Sequence, residues 1–426
     1  MKVLILGTDI EAFVCAIACF REGLDVVVIN GRDPIEGTIP GVHIPPNGTY
    51  ILQQLDLLDA VREKADIIES IDFRRYADGG LIRAMPCGED VCRVYGGIWV
   101  TIHREDLLRI LQDRARSLGV SIRNAVVTEM LCESAEVILD DGEHILGDVL
   151  IGADDNTPNQ VTYQTTISKK HLEALNNPRI DELWQRKSVT AWLGPDQHAI
   201  LYPLPHGEIF TLTIYRADSH NLPQAQTIQE TCPGWDDRPN HPPRPLHHSH
   251  SNPPHEAQET ALHLEDALVL STLLGLLNLH LHLHLQTSSP SPSQPYSSQP
   301  HPSQTNHLHS SLPSLLHLYS SLRKPIADHN ILSARDTQRI FQMRDGLAQR
   351  FRDWVLSGAG VTRATEIGWV RVVSARVEDR LGGGEMVVRE ARERFDEWRR
   401  VRLPGSVGRA SCGIGGLRRR WYSGWE

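Results

Sequence analysis

The sequence predicts an α/β fold, and its first thirty residues are the main reason. The apolar run at residues 2–6 is long enough for one buried parallel strand. Residues 13–22 then show the apolar spacing of a helix, which Gly23 would end. A second apolar run at residues 25–29 completes a β-α-β unit of the kind that binds nucleotides.

The turn after the first strand keeps only one of the three glycines that a dinucleotide site uses. Gly7 is present, whereas Asp9 and Ala12 stand where the second and third glycines are expected. Asp9 places a negative charge at the helix N-terminus, where a pyrophosphate would lie, and Glu11 adds another. Asn30 ends the second strand and could accept a hydrogen bond from a ribose hydroxyl. An equally simple interpretation is a structural β-α-β unit in which Asp9 caps the helix.

The composition argues against several classes of function. The chain has 426 residues, with 43 Lys and Arg against 53 Asp and Glu, and its formal charge of −10 disfavours general nucleic-acid binding. It has no uninterrupted run of about 18 apolar residues, so we expect no membrane span. With no signal-peptide pattern and seven scattered cysteines, we expect a cytoplasmic protein with reduced thiols.

A low-complexity stretch interrupts the globular sequence. The composition changes abruptly between residues 233 and 321, where most of the histidines lie. Residues 288–303 are nearly all Ser, Pro, Gln and Tyr, which predicts a disordered insert at 276–318, of which about 276–314 should be removable. The alternating histidines of 279–285 could form a metal site on a strand. No carboxylate or cysteine accompanies them, so we favour low-complexity sequence and expect no metal.

Four further segments follow in a recognisable order. They are HREDLL at 103–108, DVLIGADD at 148–155, WLGP at 192–195 and PHEAQETA at 254–261. In this order they resemble the "hR.dL", "D.liGADG", "w.Gp" and "P..aQGa" segments of the FAD-dependent aromatic-ring hydroxylases. The resemblance is strongest to the salicylate-hydroxylase-like monooxygenases of fungi.

The resemblance implies roles for particular residues. Arg104 would reach the pyrophosphate and ribityl region of FAD, and Asp154 would help to hold the flavin. Gly7 and Asn30 would contact the cofactor from the β-α-β unit. His198 would face the flavin or the substrate, although an isolated histidine is more often a core or surface residue. The catalytic residues stay unknown, since the cofactor supplies the chemistry and no side chain need act as a nucleophile.

The resemblance also implies a Rossmann-like FAD-binding domain, built from non-contiguous segments, with a mixed-sheet substrate domain. In chain order the expected segments are FAD-binding 1–75, substrate-domain 76–102, FAD-binding 103–160, substrate-domain sheet 161–232, a remnant flavin loop and helix 233–275, the disordered low-complexity insert 276–318, a closing helix 319–356 and a divergent C-terminal tail 357–426. Glu265 and Asp266 would serve the packing and capping of the flavin-loop helix.

The implied activity is that of a flavoprotein monooxygenase. With NAD(P)H and O2 it would hydroxylate a small aromatic or polyketide-like substrate, in fungal secondary metabolism. Weak FAD binding is expected, because Asp9 and Asp155 place extra carboxylates near the pyrophosphate, where the family pattern has glycines. The family's Gly-Asp block is also absent from 235–253, where we expect no apolar strand.

Two other interpretations stay open. The altered motifs could belong to a non-catalytic, degenerate family member or to the product of a disrupted reading frame, with weak or no FAD binding. A plain NAD-dependent Rossmann dehydrogenase is less well supported, because nothing after residue 40 favours it.

Overall fold

A computed structural model shows how these segments assemble. It describes residues 1–7, 9–31, 41–88, 96–153, 162–216, 246–247, 259–288, 302–358 and 383–402. The strands are β1 (Lys2–Leu6), β2 (Asp25–Ile29), β3 (Gly41–Ile44), β4 (Asp66–Ile67), β5 (Ser70–Arg75), β6 (Leu81–Pro86), β7 (Val100–His103), β8 (Ser121–Arg123), β9 (Val127–Leu131), β10 (Glu136–Leu139), β11 (His144–Leu146), β12 (Val149–Gly152), β13 (Thr162–Ser168), β14 (Ser188–Gly194), β15 (Gln197–Pro203), β16 (Ile209–Arg216) and β17 (Leu246–His247). The helices are α1 (Ile10–Arg21), α2 (Pro46–Gln54), α3 (Leu58–Lys64), α4 (Arg104–Leu118), α5 (Lys169–Ala174), α6 (Pro178–Gln185), α7 (Glu259–Ser288), α8 (Pro302–Phe341), α9 (Leu347–Leu356) and α10 (Gly383–Arg402).

The predicted β-α-β unit forms the centre of a parallel sheet. Its strand order is β17-β12-β1-β2-β8, and all four pairings are parallel. Val3 and Ile5 pack in the main core with α1, whereas Leu4 and Leu6 pack with the small β9–β11 sheet. Helix α1 begins three residues earlier than predicted, and Gly23 ends it with a φ of +79°. Because β1 is covered on both faces, it is apolar throughout.

The second large sheet is mixed, as expected for the substrate domain. Its order is β13-β16-β15-β14-β5-β6, with antiparallel pairings except for the parallel pair β14–β5. Strand β5 lies inside the segment 1–75 that was assigned to the FAD-binding domain, yet it pairs with β14 over Ser70–Arg75. The sheet therefore begins before the predicted boundary. The α/β class is confirmed.

Helix α7 is the most buried long helix among the described residues. The window Thr260–Leu283 has a mean hydropathy of 1.4, which by length and composition alone is enough to cross a membrane. This window contains no uninterrupted apolar run, because histidines and other polar residues interrupt it. Its most apolar stretch is 89% buried inside the protein, as expected for a core helix.

The low-complexity insert predicted at 276–318 is helical at both of its ends. Helix α7 continues to Ser288 and α8 starts at Pro302, while residues 289–301 lie outside the described residues. The predicted disorder therefore does not extend over these helical parts. The main core contains five leucines from this segment: Leu277, Leu281, Leu308, Leu312 and Leu315. The premise that the segment holds few core-forming residues is wrong, and its removal would take these leucines out of the core.

A buried ionic cluster joins α7 to α8. The Nη2 atom of Arg323 lies 3.0 Å from Oε2 of Glu265, and its Nε donates to Oδ1 of Asp266. Asn47 on α2 donates to the other oxygen of Glu265 at 3.3 Å. All four side chains are almost fully buried. Glu265 and Asp266 were expected mainly to serve packing and capping; in addition, both carboxylates bind a buried cation.

Replacing Leu281 with Ala should destabilise the protein by about 2–5 kcal/mol, as expected for a core leucine. Leu279→Ala should cost less than about 1 kcal/mol, because Leu279 is exposed on the same helix. Urea unfolding of the two variants measures the difference. On a strand, Leu279 and Leu281 would share one face, so equal losses would contradict the helix.

The Arg323→Met variant should lose about 3–5 kcal/mol of stability, because it leaves two buried carboxylates without their cation. Arg339→Met is the matched control: Arg339 lies on the same helix, is exposed and pairs with Asp336. Its loss should stay below about 1 kcal/mol. Similar unfolding midpoints for the two variants would show that the buried cluster contributes no more than a surface ion pair.

Candidate dinucleotide site

The carboxyl ends of three parallel strands meet at one edge of the sheet. The backbone N–H of Gly7, after β1, donates to Ile29 O at 3.2 Å, and that of Ala153, after β12, donates to Leu6 O at 2.7 Å. In open α/β sheets, ligands bind at this edge. Gly7 and Asn30 therefore border one crevice. Asp154 follows Ala153 directly in sequence but lies outside the described residues.

Gly7 is held between two backbone segments. A Cβ at this position would lie 2.7 Å from Ala153 O and 3.0 Å from the Cβ of Ala12. Both distances are too short for a side chain, and the φ of Gly7 is not positive. Packing between the end of β1 and the residue after β12 thus explains this glycine without a cofactor.

Asn30 presents a buried acceptor at the end of β2. Its backbone N–H donates to Arg123 O at 2.8 Å, and its Nδ2 lies 3.4 Å from Oδ1 of Asn124. Its Oδ1 is buried and has no hydrogen-bond partner among the described residues. An unsatisfied buried acceptor costs about 1–3 kcal/mol. A ribose hydroxyl here would satisfy it, so the nucleoside end of a dinucleotide fits this edge.

Asp9 fills the position where the pyrophosphate would lie. Its Oδ1 accepts a hydrogen bond from the backbone N–H of Ile10 at 2.7 Å, so it is the N-cap of α1. Its Oδ2 forms an ion pair with Arg104, the first residue of α4. The capping interpretation of Asp9 is confirmed. Arg104 reaches the turn as well, and an internal carboxylate is one of its partners there.

The second carboxylate of the turn faces helix α7. Oε1 of Glu11 lies 2.8 Å from Nδ1 of His263, and both side chains are largely buried. Basic residues from two distant helices therefore meet the two acidic residues of the turn. Within the described ranges, no group of three or more His, Cys, Asp and Glu side chains could hold a metal ion.

No protein-family model matches the chain, but several curated proteins of one functional kind are similar to it in sequence. The FAD-dependent monooxygenase OpS4 of Beauveria bassiana is 25% identical over 265 residues, covering 55% of this chain and 61% of that protein. The 3-hydroxybenzoate 6-hydroxylase of Polaromonas naphthalenivorans is 25% identical over 232 residues, covering 50% and 56%. The chain thus spans 56–61% of the length of these curated relatives.

Solved structures resemble this fold over nearly the whole length of the chain. A substrate complex of salicylate hydroxylase has a TM-score of 0.60 at 16% identity, covering 91% of this chain and 98% of that one. An HpxO variant of Klebsiella pneumoniae, complexed with FAD, has a TM-score of 0.58 at 17% identity, covering 88% and 98%. The chain is thus similar in sequence to FAD-dependent monooxygenases and aromatic-ring hydroxylases, and it shares the fold of these solved structures.

The missing Gly-Asp block of these hydroxylases has a partial structural counterpart. Strand β17 pairs in parallel with Ile151 and Gly152 of β12, so a short strand lies within 235–253, where no apolar strand was expected. The strand has only two residues, and no Gly-Asp pair follows it in the sequence. The backbone of the block is thus partly kept, while its carboxylate is lost.

His198 is packed against other side chains within the described part of the protein. Nε2 of Gln342 lies 3.1 Å from its Nδ1, and its ring stacks on Tyr215 with the centroids 4.7 Å apart. The Phe341 ring packs edge to face with the imidazole of His198, with the ring centroids 5.5 Å apart. The residue is buried and attaches the end of α8 to the mixed sheet. The expectation that it faces flavin or substrate is therefore wrong.

No feature of the sequence predicted the contact between the mixed sheet and a separate three-stranded sheet of order β3-β7-β4. The phenol of Tyr202 on β15 donates to Gly41 O at 3.1 Å, and its ring lies 3.7 Å from that of His43. Thr101 on β7 donates to Pro203 O at 3.0 Å. Burial lowers the pKa of His43 to about 3, so this imidazole is neutral at pH 7. Such junctions between domains are frequent ligand sites.

A Gly7→Ala change should destabilise the protein by about 1–3 kcal/mol even without any cofactor, because the new methyl group meets backbone atoms that cannot move freely. Gly88→Ala should change stability by less than about 0.5 kcal/mol, since a Cβ there meets no atom within 4 Å. Thermal unfolding of the cofactor-free variants measures both effects. Equal stability of the two variants would contradict the close approach at Gly7.

Proposed function

We propose that the protein is an FAD-dependent monooxygenase that hydroxylates a small aromatic or polyketide-like molecule with NAD(P)H and O2, in fungal secondary metabolism. The observation that carries the proposal is the convergence of Gly7, Asn30 and Arg104 at one edge of the parallel sheet. That edge is the ligand-binding edge of open α/β sheets. Fungal relatives support it: besides OpS4, the FAD-dependent monooxygenase atnJ of Arthrinium is 22% identical and covers 83% of the chain.

FAD, when bound, would supply the redox and oxygen-transfer chemistry. Asn30 would accept a hydrogen bond from the adenosine ribose through its buried Oδ1. Arg104 would bind phosphate oxygens only in competition with its ion pair to Asp9, through the two parallel hydrogen bonds that a guanidinium can donate. Asp154 would hold the flavin from the turn after β12. Because Gly7 has no side chain, it would let the end of β1 lie close to Ala12 and Ala153.

A small aromatic substrate would bind beside the mixed sheet, near the junction at Tyr202. Burial raises the pKa of Tyr202, so its phenol stays protonated and keeps its hydrogen bond to Gly41. The buried free thiols of Cys15, Cys19 and Cys87 suit a reducing compartment, which supports a cytoplasmic location.

Weak cofactor binding is part of this proposal. A carboxylate within about 4–6 Å of a pyrophosphate opposes binding by about 1–3 kcal/mol, and both Asp9 and Asp155 follow strands at the same sheet edge. The absent aspartate of the Gly-Asp block removes a charged hydrogen bond of about 1.5–3 kcal/mol. Together these effects would move a nanomolar site into the micromolar range.

We expect flavin-fluorescence titration of the purified protein to give a dissociation constant for FAD of about micromolar or weaker. Asp155→Asn should tighten binding about tenfold, because it removes one repulsive charge. Asp25→Asn removes the same charge at the opposite edge of the sheet, at the start of β2, and should leave the affinity unchanged.

Protein that purifies yellow with stoichiometric FAD would contradict the weak binding. The absence of FAD binding at millimolar concentration would contradict the proposed enzyme and favour a non-catalytic protein. With FAD bound, NAD(P)H oxidation coupled to O2 consumption in the presence of phenolic compounds tests the activity itself.

A further inference from the structure

We propose that Asp9 is a specificity-determining residue, which makes the site select against the phosphates of a nucleotide while leaving the nucleoside position open. The inference rests on the proposed function and concerns the same sheet edge. It starts from the capping position of Asp9, where the carboxylate accepts the hydrogen bond of Ile10.

The N-terminus of a helix attracts one anion strongly, because its N–H groups point outward and the helix dipole favours negative charge. In this protein that anion is already present. Asp9 provides it from within the turn, and the fold holds it there through the ion pair with Arg104. A phosphate that entered the same position would have to replace Asp9 at the helix end and at the guanidinium.

The two side chains are shielded from water to a similar degree, with relative exposures of 19% for Asp9 and 21% for Arg104. Partial burial strengthens their attraction compared with a surface pair. It also strengthens the repulsion between Asp9 and an incoming phosphate. Asp9 therefore competes with the phosphate groups of any nucleotide for the helix N-terminus and for Arg104.

The ribose position is not subject to this competition. Oδ1 of Asn30 is buried without a partner among the described residues, and Asn30 is uncharged. A nucleoside can therefore gain this hydrogen bond without displacing Asp9. The phosphates of AMP, ADP or FAD should then add little or no affinity, although in most dinucleotide sites they add a great deal.

The test is isothermal titration calorimetry of adenosine, ADP and FAD with the full-length protein and four variants. Asp9→Ser removes the carboxylate and keeps a side chain that caps helices well. Asp9→Asn is a second capping replacement, in case the serine variant folds poorly. Asp106→Ser is the matched control, because Asp106 lies in the first turn of α4 and pairs with Arg109 instead. The double change Asp9→Ser with Arg104→Met removes both partners.

The unchanged protein should bind ADP no more tightly than adenosine. In Asp9→Ser and Asp9→Asn, ADP should bind about tenfold more tightly than adenosine, because Arg104 is released for the phosphates. The control should behave as the unchanged protein, and the double variant should lose the gain.

An unchanged protein that binds ADP tenfold more tightly than adenosine would overturn the inference. So would Asp9 variants with an unaltered ratio, while FAD binding in that case would leave the proposed function standing. If no variant binds adenosine, ADP or FAD at millimolar concentration, the proposed function and the inference both fail.

Discussion

Helix α7 sets the constraint on which the rest of the structure depends. It packs against α1, α2, α8 and α10, and it carries two carboxylates into the protein interior. Burying a charge is costly unless the charge is paired. Arg323 of α8 provides that pairing, so the two long helices must lie side by side. The same helix places His263 beside Glu11, and in this way it reaches the turn of the candidate site.

The parts of the fold that depend on local sequence could be predicted. Apolar runs bounded by turn residues identified β1 and β2, and Gly23 marked the end of α1 because it adopts a left-handed conformation. The repeat at 279–285 misled for a physical reason. Leucines at every second position satisfy the period of a strand, but they also lie four apart, which is the period of a helix face. Tertiary packing against the main core decides between the two, and the sequence of one segment does not contain that information.

The sequence was enough to predict where the residues of the candidate site lie, but not which side chains they contact. The carboxyl ends of parallel strands meet at one edge, so Gly7 and Asn30 could be placed together from the order of the elements alone. The pair between Asp9 and Arg104 could not be foreseen, because the two residues lie far apart in the chain. The same holds for Glu11 and His263. The sequence revealed two negative charges in the turn but not the basic side chains that meet them.

These pairs explain how the fold tolerates a turn that keeps only one of the three glycines of a dinucleotide site. An N-cap carboxylate contributes about 1 kcal/mol to a helix, and its charge adds about 0.3–1 kcal/mol at the helix N-terminus. Asp9 provides both to the protein without any ligand. A glycine in its place would leave the helix end open for a phosphate and would forgo this stabilisation. Stability of the free protein and affinity for a phosphate therefore compete at one residue. The ion pair with Arg104 adds to the stability of the free protein, since it connects the start of α4 to the start of α1.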